Sequence, residues 1–206
     1  MTLVNRLSLD KFLFKKSIAL KRLHGEILHC QRCHLSENRS KAVPGEGVIS
    51  THIMFIGEAP GREEDKQGRP FVGRAGKFLD ELLEEAGFQR DKVYIGNVLK
   101  CRPSIDGRDR RPSEEEIKAC SPYLDRQIEL IQPRVICTLG NVAMEHIFRK
   151  YGLDVRSISR IHGSIFKKDN LQIIPLYHPA AVLYKPNLES IMRRDFKIIK
   201  KMIHKD

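Results

Sequence analysis

The sequence predicts an α/β fold in which a mostly parallel sheet is covered by helices on both faces. Short apolar runs, of the kind that form buried strands, alternate with longer stretches whose apolar residues recur at helical spacing. Four strand–helix pairs follow one another in this way, and strands joined through helices pair in parallel. The 206 residues, 41% hydrophobic and 31% charged, suit a single globular domain over residues 1–206.

Each predicted element has its own signal. The predicted strands are the apolar runs at residues 52–56, 92–99, 134–139 and 171–176. The predicted helices span residues 10–27, 75–86, 113–131, 141–150 and 188–203. Gly87 ends the second helix, and Ser113 followed by glutamates begins the third. Asn, Ser, Gly and Pro in residues 34–51 predict an irregular connection, and residues 157–166 predict a hairpin or an edge strand.

The charge balance favours a polyanionic partner. Lys and Arg number 37 against 26 Asp and Glu, which gives a formal net charge of +11. Such a surface favours nucleic acid through phosphate neutralisation, and a basic surface kept for solubility is the alternative. No apolar run approaches the ~20 residues of a membrane span, and the first residues lack a secretory signal pattern. We therefore expect an intracellular, cytoplasmic protein that does not bind membranes.

Four of the five cysteines are candidate ligands of a metal site. Cys30 and Cys33 form a C-x2-C pair, whose two thiolates can converge on one metal centre. Cys101 and Cys120 each have Arg or Lys close by in sequence, which favours the thiolate form. Cys137 lies within an apolar strand and is most simply a small buried hydrophobe. The spacing is compatible with zinc or with an iron–sulfur cluster, and a disulfide is the weaker alternative in an intracellular protein.

Polar residues follow three of the predicted strands where each strand ends. A Gly-Glu-Ala-Pro-Gly segment at residues 57–61 follows the first strand, Asn97 ends the second, and His178 follows the fourth. In open α/β sheets, ligands collect at the carboxyl ends of the strands. An ordinary turn and a structural histidine are the alternatives for each segment taken alone. Together the three predict a pocket that holds a carboxylate, an amide and an imidazole.

The combination resembles a known family. Residues 57–76 (GEAPGREEDKQGRPFVGRAG), 96–103 (GNVLKCRP) and 178–183 (HPAAVL), with four cysteines so placed, are similar to the family 4 uracil-DNA glycosylases. The resemblance implies a three-layer α/β/α sandwich around a short, mostly parallel sheet, and excision of uracil from deaminated DNA. It also implies a 4Fe–4S cluster, and so favours iron over zinc. The implied cluster ligands are Cys30, Cys33, Cys101 and Cys120, which would tie an N-terminal arm of about residues 1–50 to the core.

The resemblance assigns roles to residues of the three segments. Phe71 matches the aromatic on which uracil stacks, with core packing as the alternative. Asn97 matches the amide that reads the edge of the base, and His178 matches the histidine that hydrogen-bonds uracil O2. Glu58 and Ala59 match the loop that lies near the pyrimidine and the attacking water.

Two assignments stay open in the sequence. Relatives with the strongest activity carry an aspartate in the first segment, where this chain has Ala59 beside Glu58. The water-activating base is therefore Glu58 or Glu64, with Asp65 a weaker candidate. Leu183 and its neighbours Tyr184 and Lys185 are the candidates for the wedge that fills the stack vacated by a flipped nucleotide, and core packing is the alternative for Leu183. The charged run at residues 105–111 either contacts the DNA backbone or forms a solvated loop near the cluster.

Two further functions compete with a monofunctional glycosylase that leaves an abasic site. One is a non-catalytic, metal-stabilised module that binds nucleic acid, and the other is a zinc protein that acts on nucleotides. An iron–sulfur protein absorbs at roughly 400 nm and is brown, whereas a zinc protein is colourless. For the glycosylase we expect a monomer that acts on uracil in single- or double-stranded DNA, with a sliding clamp as a candidate partner.

Overall fold

The computed structural model describes residues 3–203, with side chains described from residue 10 to residue 200. The helices are α1 (Leu3–Leu28), α2 (Leu35–Asn38), α3 (Arg62–Gln67), α4 (Arg74–Glu85), α5 (Glu114–Ile131), α6 (Asn141–Tyr151), α7 (Ile158–Ile161) and α8 (Leu188–Ile203). The strands are β1 (Glu46–Gly47), β2 (Ile53–Gly57), β3 (Tyr94–Asn97), β4 (Ser104–Ile105), β5 (Arg108–Asp109), β6 (Val135–Leu139), β7 (Phe166–Lys168) and β8 (Leu171–Leu176). Short 3-10 helices span Arg90–Lys92 and Pro179–Leu183.

The main sheet has the strand order β1-β3-β2-β6-β8-β7. The four inner strands, β3, β2, β6 and β8, are parallel, and the two edge strands are antiparallel to their neighbours. Every residue of β2 and of β6 is buried, as expected for strands covered on both faces. In the register of β2 and β3, Gly57 lies opposite Asn97, so two of the predicted segments meet at one edge of the sheet.

Alternate side chains of β2 enter separate apolar layers on the two faces of the sheet. Met54 and Ile56 pack with the buried sides of α1, α5 and α6, whereas Ile53 and Phe55 pack with α4 and α8. Cys137 lies fully buried in the second layer, which agrees with its expected role as a small hydrophobe. The arrangement confirms the predicted three-layer α/β/α sandwich around a mostly parallel sheet.

Several bounds differ from the sequence prediction because tertiary contacts decide them. Helix α1 starts before the predicted residue 10, and its inner residues Leu23 and Ile27 are fully buried against the core. Helix α3 and the hairpin β4–β5 lie in stretches without periodic apolar residues, so the sequence did not predict these elements. The hairpin or edge strand predicted at residues 157–166 is displaced: helix α7 occupies residues 158–161, and the edge strand β7 begins only at Phe166 and pairs with β8. Among the helices described here, none is long and apolar enough to cross a membrane.

Candidate active site and cysteine cluster

A cavity of about 540 Å³ opens at the edge where β2, β3 and β8 end. Parallel strands direct their carboxyl ends to the same edge, so segments far apart in sequence converge there. The structure brings seven of the predicted residues into this one cavity: Glu58, Ala59, Glu64, Phe71, Asn97, His178 and Leu183. Asp65, the weaker candidate base, lies elsewhere. Both of its carboxylate oxygens accept from the backbone N–H of Ser40 at 3.1 Å.

Asn97 ends β3 with its side chain almost completely buried. Its Oδ1 atom is a buried acceptor that has no hydrogen-bond partner among the described residues. A buried acceptor left unpaired is unfavourable by about 1–3 kcal/mol, so such an atom at a cavity wall is typical of a ligand contact. Glycine is required at the neighbouring Gly57, because a Cβ atom there would lie only 2.4 Å from Asn97 Oδ1.

Phe71 and His178 form one wall of the cavity. Their ring centroids are 5.6 Å apart and their planes are inclined by 29°. Phe71 adopts the left-handed backbone conformation, with φ of 49°, which is uncommon for an aromatic residue. Gly76 makes room for this conformation, since a Cβ atom there would lie 2.0 Å from the Phe71 carbonyl oxygen. A strained backbone held by its surroundings is frequent at binding sites, and here it turns the ring toward the cavity.

The structure fixes the protonation state of His178. Burial lowers the pKa of its imidazole to about 4, and the nearby Glu64 only partly opposes this effect. His178 Nδ1 accepts from the backbone N–H of Ala180 at 3.1 Å. A neutral imidazole that accepts at Nδ1 carries its proton on Nε2. His178 is therefore a neutral donor through Nε2 at physiological pH.

Glu64 connects the two loops that line the cavity. Its Oε1 atom accepts from the backbone N–H groups of Val72 and Gly73, each at 2.8 Å, and its Oε2 atom accepts from that of Gly61 at 3.2 Å. The carboxylate thus holds the start of α3 against the segment that follows Phe71. Because both oxygens are engaged by backbone donors, Glu64 has less freedom to activate water than the sequence alone suggests.

Glu58 differs from Glu64 in its surroundings. Its half-buried carboxylate lines the cavity and receives no hydrogen bond from the described part of the chain. Burial raises the pKa of Glu58 above its ordinary value, and the guanidinium of Arg111 partly opposes that shift. Glu58 is therefore the carboxylate in the cavity that is free to bind a water molecule.

The mouth of the cavity carries exposed apolar side chains and cations. Leu183 is 41% exposed and its neighbour Tyr184 is more exposed still, so Leu183 does not belong to the core. On the other side, Asp109 and Arg110 belong to the hairpin segment that follows Cys101. Sequence reasoning did not identify Arg110 as a lining residue, although the charged run at residues 105–111 was the signal for it.

No disulfide joins the four predicted ligands, Cys30, Cys33, Cys101 and Cys120, among the described residues. They lie close enough together that the pKa values of Cys33, Cys101 and Cys120 are raised by burial and, to a lesser degree, by neighbouring thiols of the same set. No three His, Cys, Asp or Glu side chains within the described residues converge as ligands of a single metal ion. Four thiolates are a ligand set that both structural zinc sites and iron–sulfur clusters use.

Nitrogen donors surround the same sulfur atoms. The Arg39 guanidinium donates to Cys101 Sγ at 3.1 Å, and the backbone N–H of Lys100 donates to Cys120 Sγ at 3.1 Å. Burial outweighs these donors and raises the pKa of Cys120 to about 12, so its thiolate is disfavoured unless a metal binds it. Thiolates bound to iron are deprotonated by the metal charge, and hydrogen bonds to the sulfur atoms are typical of iron–sulfur sites. The donor set therefore fits a cluster.

Comparisons with known proteins agree with this geometry. The family model described as the Uracil DNA glycosylase superfamily matches residues 44–200. A type-4 uracil-DNA glycosylase from Sulfurisphaera tokodaii is 48% identical over 189 residues, covering 89% of this chain and 84% of that protein. Type-4 enzymes from Archaeoglobus fulgidus and Thermotoga maritima are 46% and 44% identical, covering 84% and 86% of this chain and 88% and 91% of the relatives.

Proposed function

This chain belongs to the uracil-DNA glycosylase superfamily, and within it to the type-4 enzymes, and we propose that it excises uracil from deaminated DNA. It hydrolyses the N-glycosidic bond and leaves an abasic site. The observation that carries the proposal is the unpaired, buried Asn97 Oδ1 in a cavity that also presents Phe71 and a neutral His178.

Asn97 distinguishes uracil from cytosine. The amide oxygen accepts from the imide N3–H of uracil, and the amide nitrogen donates to O4. Cytosine has no proton at N3 and carries an amino group in place of O4, so an amide held in this orientation stays unpaired at both ends. Sites that hydrogen-bond a substrate group reject analogues that lack it by about 10⁴-fold or more, because the buried groups of the site stay unsatisfied. Phe71 supplies the stacking surface for the pyrimidine.

His178 stabilises the leaving group. As the bond to the sugar breaks, negative charge develops on the uracil, and a fixed N–H donor at O2 stabilises that charge. The neutral imidazole donates through Nε2 without losing its proton, which its pKa of about 4 permits over the whole neutral range. Removal of one such donor slows a reaction by an amount equivalent to about 3–4 kcal/mol.

Glu58 orients the attacking water and favours the cationic sugar that forms on the other side of the breaking bond. The target nucleotide must first leave the stack, which is unfavourable by a few kcal/mol in a duplex. Leu183, exposed at the mouth of the cavity, would fill the gap, and the cations Arg62 and Arg74, which also line the cavity, would compensate through phosphate contacts.

Cys30, Cys33, Cys101 and Cys120 would hold the 4Fe–4S cluster, which cross-links the end of α1 to the loop after β3 when bound. Hydrolysis of a glycosidic bond transfers no electron, so we assign these cysteines a structural role. Cys101 lies between β3 and the hairpin β4–β5, so a cluster bound there would also hold the hairpin segment that contributes Arg110 to the cavity. The single domain, the monomeric state, a sliding-clamp partner and a cytoplasmic location stay predictions.

Cleavage of a uracil-containing oligonucleotide tests the proposal. The wild-type chain is incubated with the oligonucleotide and then with alkali, which cuts the strand at abasic sites. We expect a cut at uracil and none in the same oligonucleotide with cytosine. Asn97→Ala should abolish most of the cleavage, and Asn170→Ala, in the exposed turn before β8, is the matched control that should not. DNA binding by the wild type without any cut would support the non-catalytic module instead.

A further inference from the structure

Lys100 is a lysine buried in the core beneath the cavity, with only 1% of its surface exposed. Its Nζ atom donates to the backbone carbonyl of Asn97 at 2.7 Å and to Gln127 Oε1 at 2.8 Å. Both acceptors are neutral, and no carboxylate pairs with this ammonium among the described residues. The anion that acts on it is the Cys120 thiolate, which would be present when a metal is bound. Lysine is almost never fully buried without a charged partner, because removal of an ammonium from water is strongly unfavourable. The Cys120 thiolate would offset part of that cost, and the two short hydrogen bonds hold the Lys100 ammonium against the backbone of Asn97.

A chain of hydrogen bonds extends from Lys100 to the N-terminal helix. The Gln127 side-chain amide donates from Nε2 to the Tyr94 hydroxyl at 2.9 Å and to the Pro44 carbonyl at 2.8 Å. The Tyr94 hydroxyl also lies 3.0 Å from His24 Nε2 of α1. Every polar atom of Gln127 is thus engaged, which leaves its oxygen directed at Lys100. Satisfied buried networks of this kind rigidify their surroundings.

The network ends at the residue that reads the base. The Asn97 side chain gains no hydrogen bond at Oδ1 from the described residues, so its orientation depends on its backbone and on the packing around it. The ammonium fixes that backbone by holding the Asn97 carbonyl. We propose that Lys100 is a positioning residue that sets the angle at which the Asn97 amide meets the base. This inference rests on the proposed function and assigns no contact between Lys100 and the DNA.

A double-mutant cycle separates positioning from general stability. Single-turnover excision from a uracil oligonucleotide is measured for Lys100→Met in three backgrounds: wild type, Asn97→Ala and His178→Ala. We expect on the order of a tenfold loss in the wild-type and His178→Ala backgrounds, and almost none with Asn97→Ala, because the group being positioned is then absent. The same loss in all three backgrounds would mean that Lys100 only stabilises the fold. Lys92→Met, at the opposite end of β3 and exposed, is the control that should change nothing.

A second variant protects the test against misfolding, since Lys100 adjoins a cysteine of the cluster. Gln127→Met removes one acceptor of the ammonium and leaves the Lys100 side chain in place. It should slow excision on the order of threefold, again only where Asn97 is present. Iron content and absorption at about 400 nm are measured for every variant. Equal losses with and without Asn97 for Gln127→Met would overturn the inference while uracil excision by the wild type still stands, and absence of wild-type excision would overturn the function itself.

Discussion

Alanine in place of Gly57 perturbs the cavity without removing a polar group. Gly57 ends β2, directly opposite Asn97 of β3. A methyl group at this position would lie 2.4 Å from Asn97 Oδ1 and 2.6 Å from Phe71 Cζ. The Gly57 backbone is outside the left-handed region, so alanine can adopt its conformation and the effect is steric. The substitution therefore reports on the placement of the two side chains that meet the base.

The structure sets the size of the effect. Ordinary contact begins at 3.4 Å, so Asn97 must retreat by about 1.0 Å and Phe71 by about 0.8 Å. The Phe71 ring already rests against His178, which leaves little space to absorb the shift. Overpacking of this kind destabilises a protein by about 1–3 kcal/mol, or roughly 4–8 °C in Tm for a loss near 2 kcal/mol. Misplacement of a binding group by about 1 Å slows a reaction by about 100-fold.

The assay pairs single-turnover excision with thermal unfolding followed by circular dichroism. We expect Gly57→Ala to lose about 100-fold in rate and several degrees in Tm. Gly25→Ala is the matched control, because it lies within α1 and a Cβ atom there meets nothing within 4 Å. That control should keep the wild-type rate and gain up to about 1 kcal/mol in stability from helix propensity. A wild-type rate for Gly57→Ala would refute the view that Asn97 and Phe71 must hold these positions.

Three other outcomes follow from the same geometry. His178→Ala should slow excision by about 100- to 1000-fold, which is a larger loss of rate than Glu64→Ala should cause. Glu64→Ala should instead cause the larger loss of stability, lowering the free energy of unfolding by about 2–4 kcal/mol, because it leaves three backbone donors unpaired. The excision rate should stay level as the pH falls through 6.5, since His178 has a pKa of about 4, and then decline as Glu58 takes up a proton above its ordinary pKa of 4.5. Cys120→Ser should lose the absorption near ~400 nm that Cys137→Ser keeps.

Each of these predictions can be contradicted by a specific result. Faster excision by His178→Ala than by Glu64→Ala would exchange the two roles.

Burial of His178 also predicts that the stability of the protein falls as the pH falls from 6.5 toward 4, since the unfolded chain protonates His178 there and the folded chain does not. An acid decline that persists in Glu58→Gln would exclude Glu58 as its source. Equal absorption in both cysteine variants would remove Cys120 from the cluster.

The sequence was sufficient to predict which functional residues lie at the ends of strands. Alternation of apolar runs predicts the order of the inner strands and helices, and parallel pairing then places Asn97 and His178 at one edge. The structure brings these residues into one cavity with Phe71. The burial of Cys137 was also predictable, because the five-residue run Val135–Leu139 is apolar except for Thr138, and such a run is typical of a strand buried on both faces.

The roles of charged residues were not predictable in the same way. Glu64 lies in the charged stretch Arg62–Gln67, where glutamate is usually a solvated helix residue, and its acceptor role depends on donors eight and nine residues away. Lys100 lies between two apolar residues and a cysteine, and nothing local shows that its side chain enters the core. Both roles come from contacts between elements, which periodicity does not report.

By itself, the sequence determined the order of strands and helices, the four thiols and the polar residues that end the strands, because these depend on local patterns of apolar and polar side chains. The tertiary structure alone decided that Glu64 binds backbone donors, that Glu58 stays free and that Lys100 lies beneath Asn97. Hydrogen bonds between distant segments depend on the register and packing of whole elements, and no local pattern encodes the direction in which a long charged side chain will point.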